Sequence, residues 1–239
     1  MSREQVYGRR STREALRGPR EVLELWATER AVKAEPWLRG LERPRVQVKL
    51  EREITEAAGT RDHQGVLAWC EPYRYADAYE LARAERPLLA CLDQVSDPRN
   101  LGAVVRSAEG AGATGVVVPA HGSARVTAAV CRASAGAVEH LPVAVVTNLA
   151  RYLAEIKDGD LWIAGAVGEA GTPMWDADLS GGLALIFGAE GKGLRPLVRK
   201  SCDLEVSIPL LGEVESLNVS VAAAILLYEA RRQREPRDG

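Results

Sequence analysis

The sequence predicts an α/β protein in which a C-terminal parallel sheet, layered with helices, follows a smaller α/β domain. Two observations carry this expectation. From Leu88 onward, short uninterrupted apolar runs such as LLACLDQV, GVVVP and LALIFG alternate with stretches of helical spacing, which is how parallel strands buried on both faces read. Before Leu88 the alternation runs on a smaller scale, and residues 73–87, polar and closed by Pro87, separate the two patterns. The expected division is a domain over 1–72, a linker with some helix over 73–87, and a larger domain over 88–239.

The elements follow in order. VYGRRSTREALRG reads as a short strand, a turn and a helix, with Ser11 as N-cap, Glu14 as its capping-box partner and Gly18 and Pro19 as its end. VLELWAT alternates as a strand, PWLRGLE is a short helical piece, and RVQVKLE alternates again. ITEAAGT is helical and stopped by Gly59, and HQGVLAWCEP completes the small domain as an apolar strand. The larger domain continues with LLACLDQV as strand, NLGAVVRSAEGAG as helix, GVVVP as strand and VTAAVCRASAGAV as helix. LPVAVV, LARYLAEI and LWIAGAV add a strand, a helix and a strand. After Asp178 come LALIFG, the helix GLRPLVRKS, the strand LEVSIP, and SLNVSVAAAILLYEARRQR as a long apolar helix with a basic end.

Composition narrows the class. Hydrophobic residues at 46% and charged residues at 27% of 239 are ordinary globular usage. The start MSREQVYGRRSTREAL has no apolar run behind its charges, and no stretch is long enough to span a bilayer, so a cytoplasmic protein without membrane contact is expected. Cys70, Cys91, Cys131 and Cys202 lie far apart without CxxC pairing and read as buried reduced thiols, with a zinc or redox site a distant second. No metal is expected. His121 and His140 are scattered, and His63 is open to an RNA-facing or a structural reading. Residues 1–61 hold 14 Lys and Arg against 10 Asp and Glu, whereas 88–239 hold 14 against 18. The N-terminal part is thus the better candidate to meet a polyanion, though a solvated face reads equally well.

GAGATG places Gly110, Gly112 and Gly115 in a GxGxxG pattern, which would suggest a nicotinamide-dependent oxidoreductase. That fingerprint must follow a strand and open a helix so that the helix N-terminus meets a pyrophosphate. Here the glycines end a helix and precede a strand, so they read as a cap and a turn.

Three other segments carry polar groups at sheet ends. In Leu92–Pro119, Asn100 follows the strand in a polar loop, and Arg106 sits six residues later in an otherwise small and apolar helix. In Leu185–Leu194, glycines surround Glu190 directly after an apolar strand, allowing close backbone approach to a ligand. In Ile208–Ala222, Ser216 and Asn218 lead into the last helix, where either reads as a cap as well as a site residue. In this order, at the end of a parallel α/β domain, the three segments resemble the three motifs of the SpoU family of RNA ribose 2'-O-methyltransferases, within the SPOUT superfamily. RVTAAVCRASAGAVEHLPV resembles that family's middle segment, and GRRSTREAL with HQGVLA resembles its N-terminal, ribosomal-protein-like substrate-binding domain.

The resemblance implies a SPOUT domain tied in a deep trefoil knot, S-adenosylmethionine as cofactor, an RNA substrate, and a homodimer joined through the C-terminal helix. Gly188, Ile208 and Leu217 would hold the adenine and ribose of the cofactor largely through backbone. Asn100, Arg106, Glu190, Ser216 and Asn218 match the polar active-site positions. Arg106 would act as base toward the ribose hydroxyl or clamp the neighbouring phosphate and orient that hydroxyl. A guanosine of 23S ribosomal RNA is the favoured target; a transfer RNA methyltransferase, or a ribosomal-RNA-binding or antibiotic-resistance relative, is the alternative.

Overall fold

The computed structural model describes residues 3–157, 160–168 and 170–235. Internal packing divides the chain into two compact units, Met1–Arg74 with Arg125–His140, and Tyr75–Ala124 with Leu141–Gly239.

In the first unit β1 (Glu4–Tyr7) leads into α1 (Arg9–Ala15), followed by β2 (Val22–Ala27), α2 (Glu29–Ala34), α3 (Pro36–Arg39), β3 (Val46–Val48), α4 (Glu51–Ala58) and β4 (Val66–Cys70). The strands form one sheet in the order β1-β4-β2-β3. β4 pairs antiparallel with both neighbours, and β2 pairs parallel with β3. The cap expected at Ser11 lies elsewhere. Gly8, at φ 97°, makes the turn, and its carbonyl accepts the first helical bond from Thr12 N at 3.0 Å. Ser11 is therefore inside α1, buried, with its hydroxyl unbonded among the described residues. α2 was not expected; its start is fixed by Thr28, whose hydroxyl accepts from Ala31 N at 3.1 Å. Gly59 closes α4 in the left-handed region, as the sequence indicates.

The second unit holds α5 (Ala78–Ala82), β5 (Leu88–Asp93), α6 (Pro98–Gly110) and β6 (Gly115–Pro119). α7 (Ala128–Ala133) packs with the first unit. The single helix expected over VTAAVCRASAGAV breaks after α7, because Ala135 and Gly136 take φ of 53° and 90°, and one 3-10 turn follows at Ala137–Glu139. The second unit resumes with β7 (Val143–Val146), α8 (Leu149–Ile156), β8 (Leu161–Val167), β9 (Thr172–Pro173), β10 (Gly182–Gly188), α9 (Pro196–Lys200), β11 (Leu204–Ser207) and α10 (Val219–Arg234). Its seven strands, among the described residues, run parallel in the order β7-β6-β5-β10-β8-β11-β9. This is the parallel α/β architecture that the apolar runs predict.

Alternation within the central strands sorts the core. Leu89 and Cys91 of β5 and Ala184 and Ile186 of β10 join Leu149, Tyr152 and Leu153 of α8 on one face. Residues of opposite parity, such as Leu92 and Phe187, are buried on the other side of the sheet. There α6 packs with α10. GAGATG ends α6, Gly112 supplies a left-handed turn at φ 71°, and Gly115 opens β6. The glycines are a cap and turn. Burial pushes the Cys70 and Cys131 thiols up to about 12 and Cys202 up to about 11, and raises Cys91 as well. All four are free thiols, and no metal-ligating cluster exists among the described residues. No described helix is long and apolar enough to cross a membrane.

The first unit contains a buried ion pair. Arg20 Nε donates to Glu139 Oε2 at 2.9 Å, and its Nη2 donates to Glu139 Oε1. Burial alone would lower the guanidinium pKa, but the hydrogen bond and charge of Glu139 outweigh it and raise it. Glu139→Ala leaves Glu4, at 3.4 Å, as the one carboxylate within ion-pair distance of Arg20 among the described residues, beside weaker contacts to Cys131 Sγ and the Tyr73 ring. A buried cation stripped of its carboxylate is expected to cost about 3 kcal/mol in a urea titration of the full chain; a loss below about 1 kcal/mol would show that the pair is dispensable.

Candidate active site

The strand order reverses between β5 and β10. The chain leaves β5 toward β6 and β7, whereas β10 lies on the other side of β5, against β8. In parallel α/β sheets this reversal opens a crevice beyond the strand C-termini, and ligands bind there. Gly188 at the end of β10 is in register with Asp93 at the end of β5, so the loops following both strands emerge side by side.

Three side chains meet at this crevice, one from each polar segment. Asp97 and Pro98 start α6, with Asp97 accepting from Arg99 N at 2.8 Å, which sets Asn100 in the first turn. Asn100 Nδ2 donates to Glu190 Oε1 at 3.1 Å. Asn218 Nδ2 donates to Asn100 Oδ1 at 3.1 Å and to the same Glu190 oxygen. Asn218 also caps α10, its Oδ1 accepting from Ser220 N at 2.9 Å. The cap therefore belongs to Asn218, and α10 begins at Val219. Ser216, the other candidate, lies exposed in the extended segment before it.

A cavity of about 540 Å³ opens beside this cluster, within the roughly 300–1,000 Å³ typical of small-molecule sites. Gly188, Glu190, Ile208, Ser216, Leu217 and Asn218 all line it. Asn100 reaches it through Glu190 and Asn218. Arg106 stands apart: it does not line the cavity, its side chain is exposed, and it makes no hydrogen bond or ion pair among the described residues.

The wall at Gly188 is a matter of backbone contact. A Cβ there would sit 2.2 Å from the carbonyl carbon of Gly193 and 2.6 Å from Leu194 N, a separation no side chain accommodates. The loop returns because Gly193 N donates to Ala189 O at 2.9 Å, with Gly191 and Gly193 at φ of 71° and 64°. Asp93, fully buried, accepts from Arg195 N at 2.8 Å and from Arg195 Nε at 2.7 Å, clamping the far end of the loop to β5. The sequence reading passed over this pair, although an Asp ending the apolar run LLACLD is a buried carboxylate in search of a donor. His63 has no part in a site: it is buried, accepts from Gly65 N through Nδ1 at 2.9 Å, and shares a 2.8 Å hydrogen bond between Nε2 and the Thr55 hydroxyl. Of its two readings the structural one holds.

Comparison with known proteins decides the family. Residues 87–228 match the model of the SpoU rRNA Methylase family, and residues 5–76 match the model for RNA 2'-O ribose methyltransferase substrate binding. The chain belongs to the SpoU rRNA methylase family. It is 42% identical to the 23S rRNA (guanosine-2'-O-)-methyltransferase RlmB of Pseudomonas putida, over 97% of each chain. It is 38% identical to a Bacillus subtilis protein named as a TrmH family tRNA/rRNA methyltransferase, over 97% of this chain and 96% of that one. Among solved structures, the SpoU methyltransferase AviRb of Streptomyces viridochromogenes, crystallised with AdoMet, superposes with a TM-score of 0.82 at 26% identity, covering 97% of this chain and 90% of that one. The chain is an enzyme of the SpoU family with a SPOUT-type α/β fold.

The Gly188 contact is the sharpest structural demand in this SpoU chain's cavity. Gly188→Ala is expected to force the 188–194 loop open and to weaken S-adenosylmethionine binding, measured by calorimetry, at least about tenfold. Unchanged affinity would show that the loop has room to yield.

Proposed function

We propose that this enzyme transfers a methyl group from S-adenosylmethionine to the 2'-hydroxyl of a guanosine ribose in 23S ribosomal RNA, with the cofactor seated in the cavity beside Gly188, Ile208 and Leu217. The observation that carries the reading is the hydrogen-bonded meeting of Asn100, Glu190 and Asn218 at the rim of that cavity. The cavity fits the cofactor. Its wall at Gly188 is bare backbone, closely backed by Gly193 and Leu194, its apolar lining from Ile208 and Leu217 suits a purine and a ribose, and its carboxylates suit a cationic ligand. When bound, the cofactor supplies an electrophilic methyl group.

The chain's own task is to hold the hydroxyl in line and manage its proton. A ribose hydroxyl is a weak nucleophile, so positioning carries much of the acceleration. Glu190 Oε1 is committed to Asn100 and Asn218, which fixes its carboxylate at the cavity rim while leaving Oε2 without a partner among the described residues. Ser216, exposed beside it, offers a hydroxyl to the incoming ribose. Arg106 is an exposed cation on α6, six residues beyond Asn100, with no hydrogen bond or ion pair among the described residues. A guanidinium loses its proton with difficulty, so we assign it the phosphate-clamping role: two parallel donors to the phosphate orient the hydroxyl, and the proton passes to solvent.

The remaining parts of the reading rest on narrower observations. The first unit serves as the RNA-docking part, supported by its match to the substrate-binding model. The trefoil knot belongs to this reading through the chain's membership of the SpoU family and its likeness to solved SpoU methyltransferases. A homodimer through α10 is supported by Val221 and Tyr228, exposed on a helix whose Ala223, Leu226 and Leu227 are buried. A cytoplasmic setting follows from a ribosomal RNA substrate. Tritiated S-adenosylmethionine, incubated with unmodified 23S ribosomal RNA and with transfer RNA and followed by mass mapping, tests the reaction. Label at a 2'-O-methylguanosine of 23S RNA supports the proposal, and label confined to transfer RNA overturns the substrate. Arg106→Ala is expected to lower turnover at least about a hundredfold while leaving cofactor affinity within about twofold, since Arg106 does not line the cavity. Retained turnover would remove Arg106 from the mechanism.

A further inference from the structure

The cavity has an uneven electrostatic lining. Among its described lining residues the only charged side chains are Glu190 and Glu215, both acidic; no Lys or Arg lines it. The two carboxylates are not equivalent. Glu190 is engaged by two asparagine amides. Glu215 is exposed, sits directly before Ser216 in the segment leading to α10, and has no hydrogen bond or ion pair among the described residues. Glu215 is thus an unpaired carboxylate on the cavity lining among the described residues, available to a cationic ligand.

We infer that Glu215 is a charge-selecting residue of the cofactor site, favouring S-adenosylmethionine over its demethylated product and so promoting product exchange. This rests on the cofactor placement proposed above. The reaction itself supplies the charge difference. Methyl transfer forms a carbon–oxygen bond at the ribose and breaks the carbon–sulfur bond, whose electron pair stays on sulfur; the hydroxyl proton goes to solvent. The ligand therefore enters with a sulfonium charge and leaves as a neutral thioether. Both carboxylates line one cavity, so a cation seated in it interacts with them at a range comparable to the Debye length of about 8 Å at physiological salt. Glu215 stabilises the substrate form of the ligand and contributes little to the product form. Because the carboxylate is exposed, its effect is a modest factor and falls with added salt.

The test is calorimetric titration of the full chain and of Glu215→Gln with three ligands: S-adenosylmethionine, S-adenosylhomocysteine and sinefungin, whose amine replaces the sulfonium with another cation. Glu213→Gln is the control, since Glu213 is exposed two residues away and does not line the cavity. The expected result is an affinity loss of about fivefold for the two cationic ligands in Glu215→Gln, shrinking at high salt, with S-adenosylhomocysteine changed less than about twofold. Glu213→Gln leaves all three unchanged. An equal loss for all three ligands, or no loss for any, overturns the assignment. Absence of binding of every ligand to the unaltered chain overturns the cofactor placement itself, an outcome separable from the other two.

Discussion

Asn218 is the group on which the site's arrangement depends, because one amide side chain meets three demands at once. Its oxygen accepts from one orphan backbone donor of α10, Ser220 N, and its nitrogen reaches both Asn100, on the first turn of α6, and Glu190, past the end of β10. An amide has separate donor and acceptor ends, so neither role weakens the other. A serine or aspartate at this position would cap the helix equally well but would offer Glu190 a weaker donor or a second negative charge. The cap and the network are therefore one device: the same residue that starts the last helix draws the loops of three strands to one point.

That device needs the loop after β10 held tightly, and the holding is done by backbone. Gly188 touches the carbonyl carbon of Gly193, so the loop closes over a distance that leaves no space for a side chain. Asp93 fastens its exit through Arg195. A buried carboxylate is costly unless its lone pairs are met, and here both oxygens are met by one residue, main chain and side chain together. The clamp sits on β5, the strand that also launches the Asn100 loop. Fixing one loop thus fixes its distance from the other, and Glu190 arrives within hydrogen-bond range of Asn100 without a long ordered segment of its own.

Much of this was legible in the sequence because it follows from periodicity and order. Continuous apolar runs identified the parallel strands, and the position of GAGATG after a helix excluded a dinucleotide site. Three polar segments at strand ends, in the order of a known family, brought Asn100, Arg106, Glu190, Ser216 and Asn218 forward as site residues, of which hydrogen bonds join Asn100, Glu190 and Asn218. Most of what escaped depends on contacts distant along the chain, and one element on a local backbone turn. The choice of Asn218 over Ser216 as cap is decided by where Asn100 and Glu190 lie, since either residue caps a helix in isolation. The start of α1 at Arg9 was missed because Gly8, at positive φ, makes the turn with its own carbonyl, while Ser11 only has the composition of a cap. Asp93 was missed because its partner is more than a hundred residues away.

The placement of Arg106 follows from the same physics. A residue that contacted phosphate and lined the cofactor cavity would place a permanent cation beside a sulfonium, raising the free energy of the reactive pair. In this fold the charged side chains among the cavity's described lining residues are both carboxylates, and the arginine stands outside it on α6. On the proposed assignment the two halves of the reaction would have separate electrostatics: an acidic pocket for a cationic methyl donor and a free guanidinium for a polyanionic acceptor. The uncharged amides of Asn100 and Asn218, with the tethered Glu190, lie at the boundary. A ribose hydroxyl brought there by its phosphate would meet the methyl group across a network of hydrogen bonds already made, which limits the reorganisation left for the reaction itself.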